Sequence, residues 1–269
     1  MKSKYQSKVG YGARESLSVI PGITLVFLSI VLFLSAFFVV YFLRNPQQLP
    51  FSWDIFALIS SINVVLIALP MLYGLWQWLG KKVWIIAVMA LYAMTIETFA
   101  ILTGVPYSNF EYGELIGGKI GVVPWTVGFS WVPILLFAWL LVRNYRNIWT
   151  RIGLGALLMT LFDIVLDPGA TALGFWIWEI NEGFYNVPWV NFLGWIVSSI
   201  IGLVIWETLL RDIKGTVPSK DAQRWMFISG FVSLIFWIGV NGWIGYWIPA
   251  IIGIIYAGYS LVRVWPRTR

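Results

Sequence analysis

Apolar runs long enough to cross a bilayer recur along almost the whole of this chain, and four carboxylates sit within them: Glu97, Asp163, Asp167 and Glu207. A membrane-spanning helix needs about 20 mainly apolar residues. Such runs fall at 20–42, 56–79, 83–102, 124–142, 152–166, 188–210, 225–240 and 244–264. The fifth stops short at Asp167-Pro168, with a broken continuation toward Trp178 as the alternative. The last two are parted only by Asn241-Gly242-Trp243, so seven spans result if they form one irregular element. The expected fold is an all-α polytopic transmembrane helical bundle of about eight spans, a single integral membrane domain over 1–269. Hydrophobic residues make up 59% of the chain and charged residues 11%, against roughly 25% charged in a soluble domain.

The basic residues orient the spans. With the N-terminus in the cytoplasm and the spans alternating, all 18 basic residues except Arg44 and Lys119 fall in cytoplasmic segments. This is the asymmetry of the positive-inside rule. The stretch 1–19 becomes a basic cytoplasmic tail, both termini are cytoplasmic, and Asp54, Glu111, Glu114, Glu179 and Glu182 lie in outer loops. The first run is too long for a signal-peptide core and lacks a small-residue cleavage site, so it reads as a retained span. The net charge of +6 is therefore a topology signal facing anionic lipid rather than nucleic acid.

A charged group in hydrocarbon is costly, so each intramembrane carboxylate raises a question of function. The chain has no Cys and no His. That removes disulfides, thiolate chemistry and the commonest metal ligand, leaving Asp, Glu, Tyr and Lys for proton transfer. Glu207, four residues before Arg211, suits a local ion pair and reads as structural. Glu97 lies near the outer end of the third span, and Asp163 and Asp167 at the outer end of the fifth. Asp163 and Asp167 share a face if that turn is helical, and Pro168-Gly169 is expected to end the helix just beyond them. Taken singly, Asp163 reads equally well as a helix–helix hydrogen-bonding group and Asp167 as a helix-end residue. Their shared depth with Glu97 is what points to a site.

The loops that follow these acids resemble each other. Thr103-Gly104 leads through Tyr107, Phe110, Glu111 and Tyr112 to Val123-Pro124-Trp125, with Trp131 six residues on. Pro168-Gly169 leads through Phe175, Trp176, Trp178 and Glu179 to Val187-Pro188-Trp189, with Trp195 six residues on. Pro suits the first turn of a helix and Trp the membrane interface, which accounts for part of the likeness. A parallel repeat of spans 3–4 and 5–6 would gather the three acids around one outer cavity, with the aromatic loops folded back as its lid. A carboxyl removed from water favours its neutral, proton-donating form, and aromatic faces stabilise cations. Those two properties suit protonation of an isoprenoid double bond to a tertiary carbocation.

The motifs Thr103-Gly104-Val105-Pro106-Tyr107, Asp163-Ile-Val-Leu-Asp167-Pro168, Gly174-Phe175-Trp176-Ile177-Trp178 and Val187-Pro188 through Asn191-Phe192-Leu193-Gly194-Trp195 resemble the membrane carotenoid hydratases. The resemblance covers roughly residues 95–196. It implies a cofactor-independent hydro-lyase, without metal, that adds water to the terminal prenyl double bond of an acyclic carotenoid. The implied setting is the cytoplasmic membrane of a prokaryote, with a lipophilic carotenoid as substrate, membrane lipid around it and other carotenoid-pathway membrane enzymes as partners. Glu97, Asp163 and Asp167 are the expected catalytic residues, with Asp167 or Glu97 as proton donor. Tyr107, Tyr112, Trp176, Trp178, Asn191 and Trp195 are the expected substrate-binding residues, and the polyene is expected between spans three to six. A carotenoid cyclase is the nearest alternative, because only the fate of the cation differs. A prenyltransferase would need a second aspartate cluster, and an isoprenoid carrier would need no chemistry.

Overall fold

The computed structural model describes residues 3–180, 182–211, 213 and 217–265, with side chains from residue 19 onward. Eight α-helices account for most of them: α1 Ser3–Arg44, α2 Trp53–Leu79, α3 Ile85–Thr103, α4 Val127–Val142, α5 Ile148–Ala172, α6 Trp189–Arg211, α7 Lys220–Ile244 and α8 Trp247–Val264. Six helical stretches are long and apolar enough to cross a membrane. One of them, Trp53–Thr103, is divided into α2 and α3 by a 3-10 turn at Gly80–Trp84. Helix α4 is apolar throughout but has only 16 residues, fewer than a full bilayer crossing requires.

Local chemistry sets the helix ends. The Ser52 hydroxyl accepts from the Ile55 N–H, Asn147 from those of Trp149 and Thr150, and Ser219 from that of Ala222. Each satisfies an N–H that a helix start leaves without a partner. Gly104 and Gly245 stop α3 and α7 in the left-handed conformation, which glycine adopts without strain.

Helix α1 takes in the stretch from Ser3 onward, so its backbone runs unbroken into the first span. The basic side chains at Lys2, Lys4, Lys8, Arg14, Lys214, Arg267 and Arg269 lie outside the described residues. Two expectations change, both at helix ends. Pro168 does not end α5, which runs on to Ala172. Proline removes one backbone donor, but the buried neighbours of this turn hold the helix past it, so Asp163 and Asp167 stand inside the helix. The break between the last two helices lies at Gly245-Tyr246, past Asn241-Gly242-Trp243, because Gly245 takes the left-handed cap. The loops after α3 and α5 hold regular structure of their own.

Two short antiparallel pairs form there. Strands β1 (Phe110–Tyr112) and β4 (Trp176–Trp178) join the loop after α3 to the loop after α5, in the register Phe110↔Trp178, Glu111↔Ile177 and Tyr112↔Trp176. Strands β2 (Lys119–Ile120) and β3 (Val123–Pro124) form a hairpin before α4. A bridge between Phe184 and Val187 stands in the same place before α6.

Helix α7 is the axis of the bundle. It packs against α1, α2, α4, α5 and α8 and is the most buried of the candidate spans. The N–H of Met71, just after Pro70 in α2, donates to the Ser229 hydroxyl of α7 at 2.9 Å, so α2 is tied to α7 at its proline.

The two ends of the bundle differ in chemistry. One gathers the β-paired loops and the exposed Glu111, Glu114 and Glu179. There Arg44 donates to the Ile244 carbonyl at the end of α7, and Lys119 pairs with Glu114. The other end carries Lys81, Lys82, Arg143, Arg146, Arg151, Arg211, Arg224 and Arg263. Glu207 lies at this basic end, but its partner is Arg151 of α5, at 2.7 Å, rather than Arg211. Trp139 also donates to Glu207. A partner on another helix, 56 residues away, wins over a neighbour on its own helix because Arg211 points to solvent.

Candidate active site

Three helices bring the acids to one place. Glu97 lies seven residues before the left-handed Gly104 that follows α3. Asp167 lies seven residues before Gly174, the left-handed glycine that follows α5. Both therefore sit about two turns below the loops that roof the bundle. Asp163 is one turn deeper than Asp167 on the same face of α5. All three are buried, Asp163 completely.

Asn191, in the first turn of α6, joins the two aspartates. Its amide nitrogen donates to Asp163 Oδ2 at 2.9 Å and to Asp167 Oδ2 at 2.5 Å. An amide NH₂ has two donors, and both are used here on carboxyls. Asp163 Oδ1 has no hydrogen-bond partner among the described residues. Glu97 is held differently: the Tyr112 hydroxyl donates to its Oε2 at 3.0 Å. Burial, then the nearby Glu97 carboxyl, pushes the Tyr112 phenol well above the usual phenol range, and the same two causes act on Tyr107.

These groups face a cavity of about 170 Å³. Glu97, Asp167 and Asn191 line it, as do all five of the aromatic residues expected there: Tyr107, Tyr112, Trp176, Trp178 and Trp195. Asp163 does not; it stands behind Asn191 as that amide's second acceptor. The aromatic roof is self-supporting. Phe110 packs on Trp178 with ring centroids 5.0 Å apart, Tyr112 meets Trp176 edge-on at 5.9 Å, and Tyr107 meets Trp195 at 6.1 Å. Trp178 donates to Thr171, and Asn109 donates to Glu179 across the two loops at 2.6 Å. Tyr107 rests on Gly194 of α6, where a Cβ would come within 2.5 Å of the Pro106 carbonyl oxygen. Only glycine permits that approach.

The structure adds lining residues that the sequence reading missed. Ser60 and Asn63 come from α2, Trp131 from α4, and Ser233 and Trp237 from α7. The polar cluster Ser60-Ser61 with Asn63, inside an apolar run, was the available signal for α2. Nothing marked α7, whose Ser233 and Trp237 look like ordinary span residues. Among the described residues, no three acids are close enough together to hold one metal ion.

Bundle and cavity together define a helical membrane protein whose carboxyl-lined chamber lies under an aromatic roof at one end. The family described as carotenoid biosynthesis protein matches residues 46–259, and the chain belongs to it. The match extends well beyond 95–196, from just before α2 into α8, so α2, α7 and most of α8 belong to the family pattern and α1 lies outside it. The chain is also similar to bisanhydrobacterioruberin hydratase of Haloarcula japonica, 32% identical over 189 residues that cover 67% of this chain and 64% of that protein. The chain thus spans a little under two thirds of that relative's length. No solved structure matches.

Proposed function

We propose that this protein is a carotenoid hydratase, adding water to a terminal prenyl double bond of an acyclic carotenoid. The observation that carries the reading is the pairing of two differently held carboxyls on one aromatic-walled cavity. Asp167 is tied through Asn191 to a second acid, and Glu97 accepts from a phenol. The family and the hydratase relative point to the same chemistry.

In the proposed reaction the Asp167 carboxyl gives its proton to the less substituted alkene carbon. The π electrons form the new C–H bond and leave a tertiary cation on the neighbouring carbon. The faces of Trp176, Trp178 and Tyr112 are the cation's nearest electron-rich surface. A water oxygen then forms the C–O bond, and its proton passes to Glu97, which is already oriented as an acceptor by Tyr112. The sum is alkene plus water to tertiary alcohol. The catalyst resets when Glu97's proton returns to Asp167 through cavity water. Asp163 holds Asn191, and through it Asp167, in place. No cofactor enters these steps.

We read α1 to α8 as eight spans, with the buried β3 entry at Val123–Pro124 making up the length α4 lacks, and both termini in the cytoplasm of a prokaryotic cell, which puts the basic end inside and the roofed cavity at the outer leaflet. Water reaches the chamber there, and the hydroxylated end finishes at a polar surface. The similar loop-and-hairpin entries into α4 and α6 support a parallel repeat of α3–α4 and α5–α6.

Expression in a bacterium that makes lycopene or its prenylated derivatives tests the reading, with pigments followed by liquid chromatography, mass and absorbance. The expected product is more polar, heavier by one or two waters, and unchanged in its polyene spectrum. An isomer of unchanged mass with an altered spectrum would instead make the protein a cyclase. Asp167→Asn should abolish turnover while the protein stays folded; near-wild-type turnover would remove Asp167 from the donor role.

A further inference from the structure

The cavity is too small for the substrate it is proposed to serve. An apolar hole of about 150 Å³ accommodates a molecule the size of benzene, so about 170 Å³ takes a branched chain end and little more. The rest of a polyene must leave the chamber, and the lining residues differ sharply in how far they are covered. The acid-bearing wall from α3, α5 and α6 is closed, with Glu97, Asp167, Asn191 and Trp195 all buried. Elsewhere Val39 of α1, Asn63 and Val64 of α2 and Ser233 of α7 line the same cavity but are only half-buried, and Ser130 of α4 is exposed beside the loop that precedes that helix.

Helix α2 shows which way this opening faces. Its Ser61 flank is sealed by the loop before α4, through a hydrogen bond from the Ser61 hydroxyl to the Ile116 carbonyl. Its Met71 and Gly74 press on α7. On a helical projection at 3.6 residues per turn, Asn63 lies just to the other side of Gly74 from Ser61, whereas Val64 lies on the Ser61 side. Helix α1 packs on α7 as α2 does, and its Val39 reaches the same cavity, which argues for α1 on the unsealed side.

We infer that a lateral portal between α1 and α2, backed by α7, admits the long apolar polyene from the lipid while only its end enters the chamber. The inference rests on the hydratase reading and moves the polyene from the expected space between the third to sixth spans to the opposite side of the bundle. Helix α1 ends at Arg44, before the family match begins at residue 46. One jamb of the portal therefore belongs to the part of the chain outside that match.

The test narrows the portal with Val39→Trp and Asn63→Trp, and uses Leu58→Trp, on the lipid-facing side of α2, as control. Two readouts are taken: the kcat/KM ratio for a long acyclic polyene over a two-isoprene alkene, and the amount of polyene that co-purifies with the protein, measured by absorbance. The portal variants should lower the ratio about tenfold or more, mainly through KM for the long substrate. They should also lose co-purifying pigment, whereas Leu58→Trp does neither. Equal loss on long and short substrates, or retained pigment and ratio in both variants, would overturn the portal. If the wild-type protein hydrates neither substrate, the hydratase reading falls, and co-purified pigment still judges the portal.

Discussion

Asn191 determines how the two aspartates of α5 can work. Without its amide, two buried carboxyls would face each other one turn apart with only a carboxyl's own proton to join them. Tyr112 plays the corresponding part for Glu97, where a hydrogen bond to a carboxylate contributes about 1.5–3 kcal/mol. Tyr112→Phe should therefore lower kcat about tenfold without unfolding the protein. Because burial holds the phenol neutral past its ordinary value near 10, the hydrogen-donating form persists as pH rises. The variant should lower the plateau of the pH–rate profile; a displaced alkaline limb would mean that the phenol itself titrates. At this scale the sequence was most legible for ionised groups. A carboxyl in an apolar run announces its cost, and Glu97, Asp163 and Asp167 do come together. Ser60 and Asn63 announced less, since a serine in a helix can satisfy itself on the carbonyl four residues back. The Arg151 partner of Glu207 was invisible because it comes from another helix.

At the scale of elements, the roof depends on α6 carrying a glycine where the loop after α3 lies on it. A Cβ at Gly194 would stand 2.5 Å from the Pro106 carbonyl oxygen and 2.7 Å from the Tyr107 ring. Overpacking of this kind costs about 1–3 kcal/mol. Here the strain falls on a loop, which can shift, rather than on the helices. Gly194→Ala should thus lower turnover about tenfold while the melting temperature changes little. A large fall in melting temperature with full activity would mean that the roof is rigid and Tyr107 dispensable. Helix α5 shows why element ends were harder to read than element existence. A proline is a local signal to stop, but the turn around Pro168 is buried on several sides. Tertiary contacts outweigh the single backbone hydrogen bond that proline forfeits. The break after α7 shifted for the related reason that a left-handed glycine three residues further on offers a better cap.

At the scale of the whole molecule, apolar runs and the distribution of Lys and Arg were enough to anticipate helices with one basic and one acidic, aromatic end. The pairing of β1 with β4 was not legible, because it joins loops more than sixty residues apart through three-residue strands that carry no alternating pattern of useful length. The chain has no cysteine, so orientation can be measured on single-cysteine variants without removing any residue first. A membrane-impermeant maleimide should label Glu114→Cys and Glu179→Cys in intact cells, and Lys81→Cys and Arg146→Cys only after permeabilisation. The reverse pattern would turn the bundle over and move the chamber to the inner leaflet. The β1–β4 pairing has a further consequence for synthesis. Helices enter the membrane in the order in which the ribosome makes them, so α3 and α4 are inserted while the β1 edge still lacks its mate. Glu97 and Tyr112 wait beneath an open roof until α5, β4 and α6 have been translated. A nascent chain released before Asp163 thus owns one acid of the site, one released between Asp167 and Asn191 owns all three without the amide that organises two of them, and the complete site arrives late, in a single assembly step.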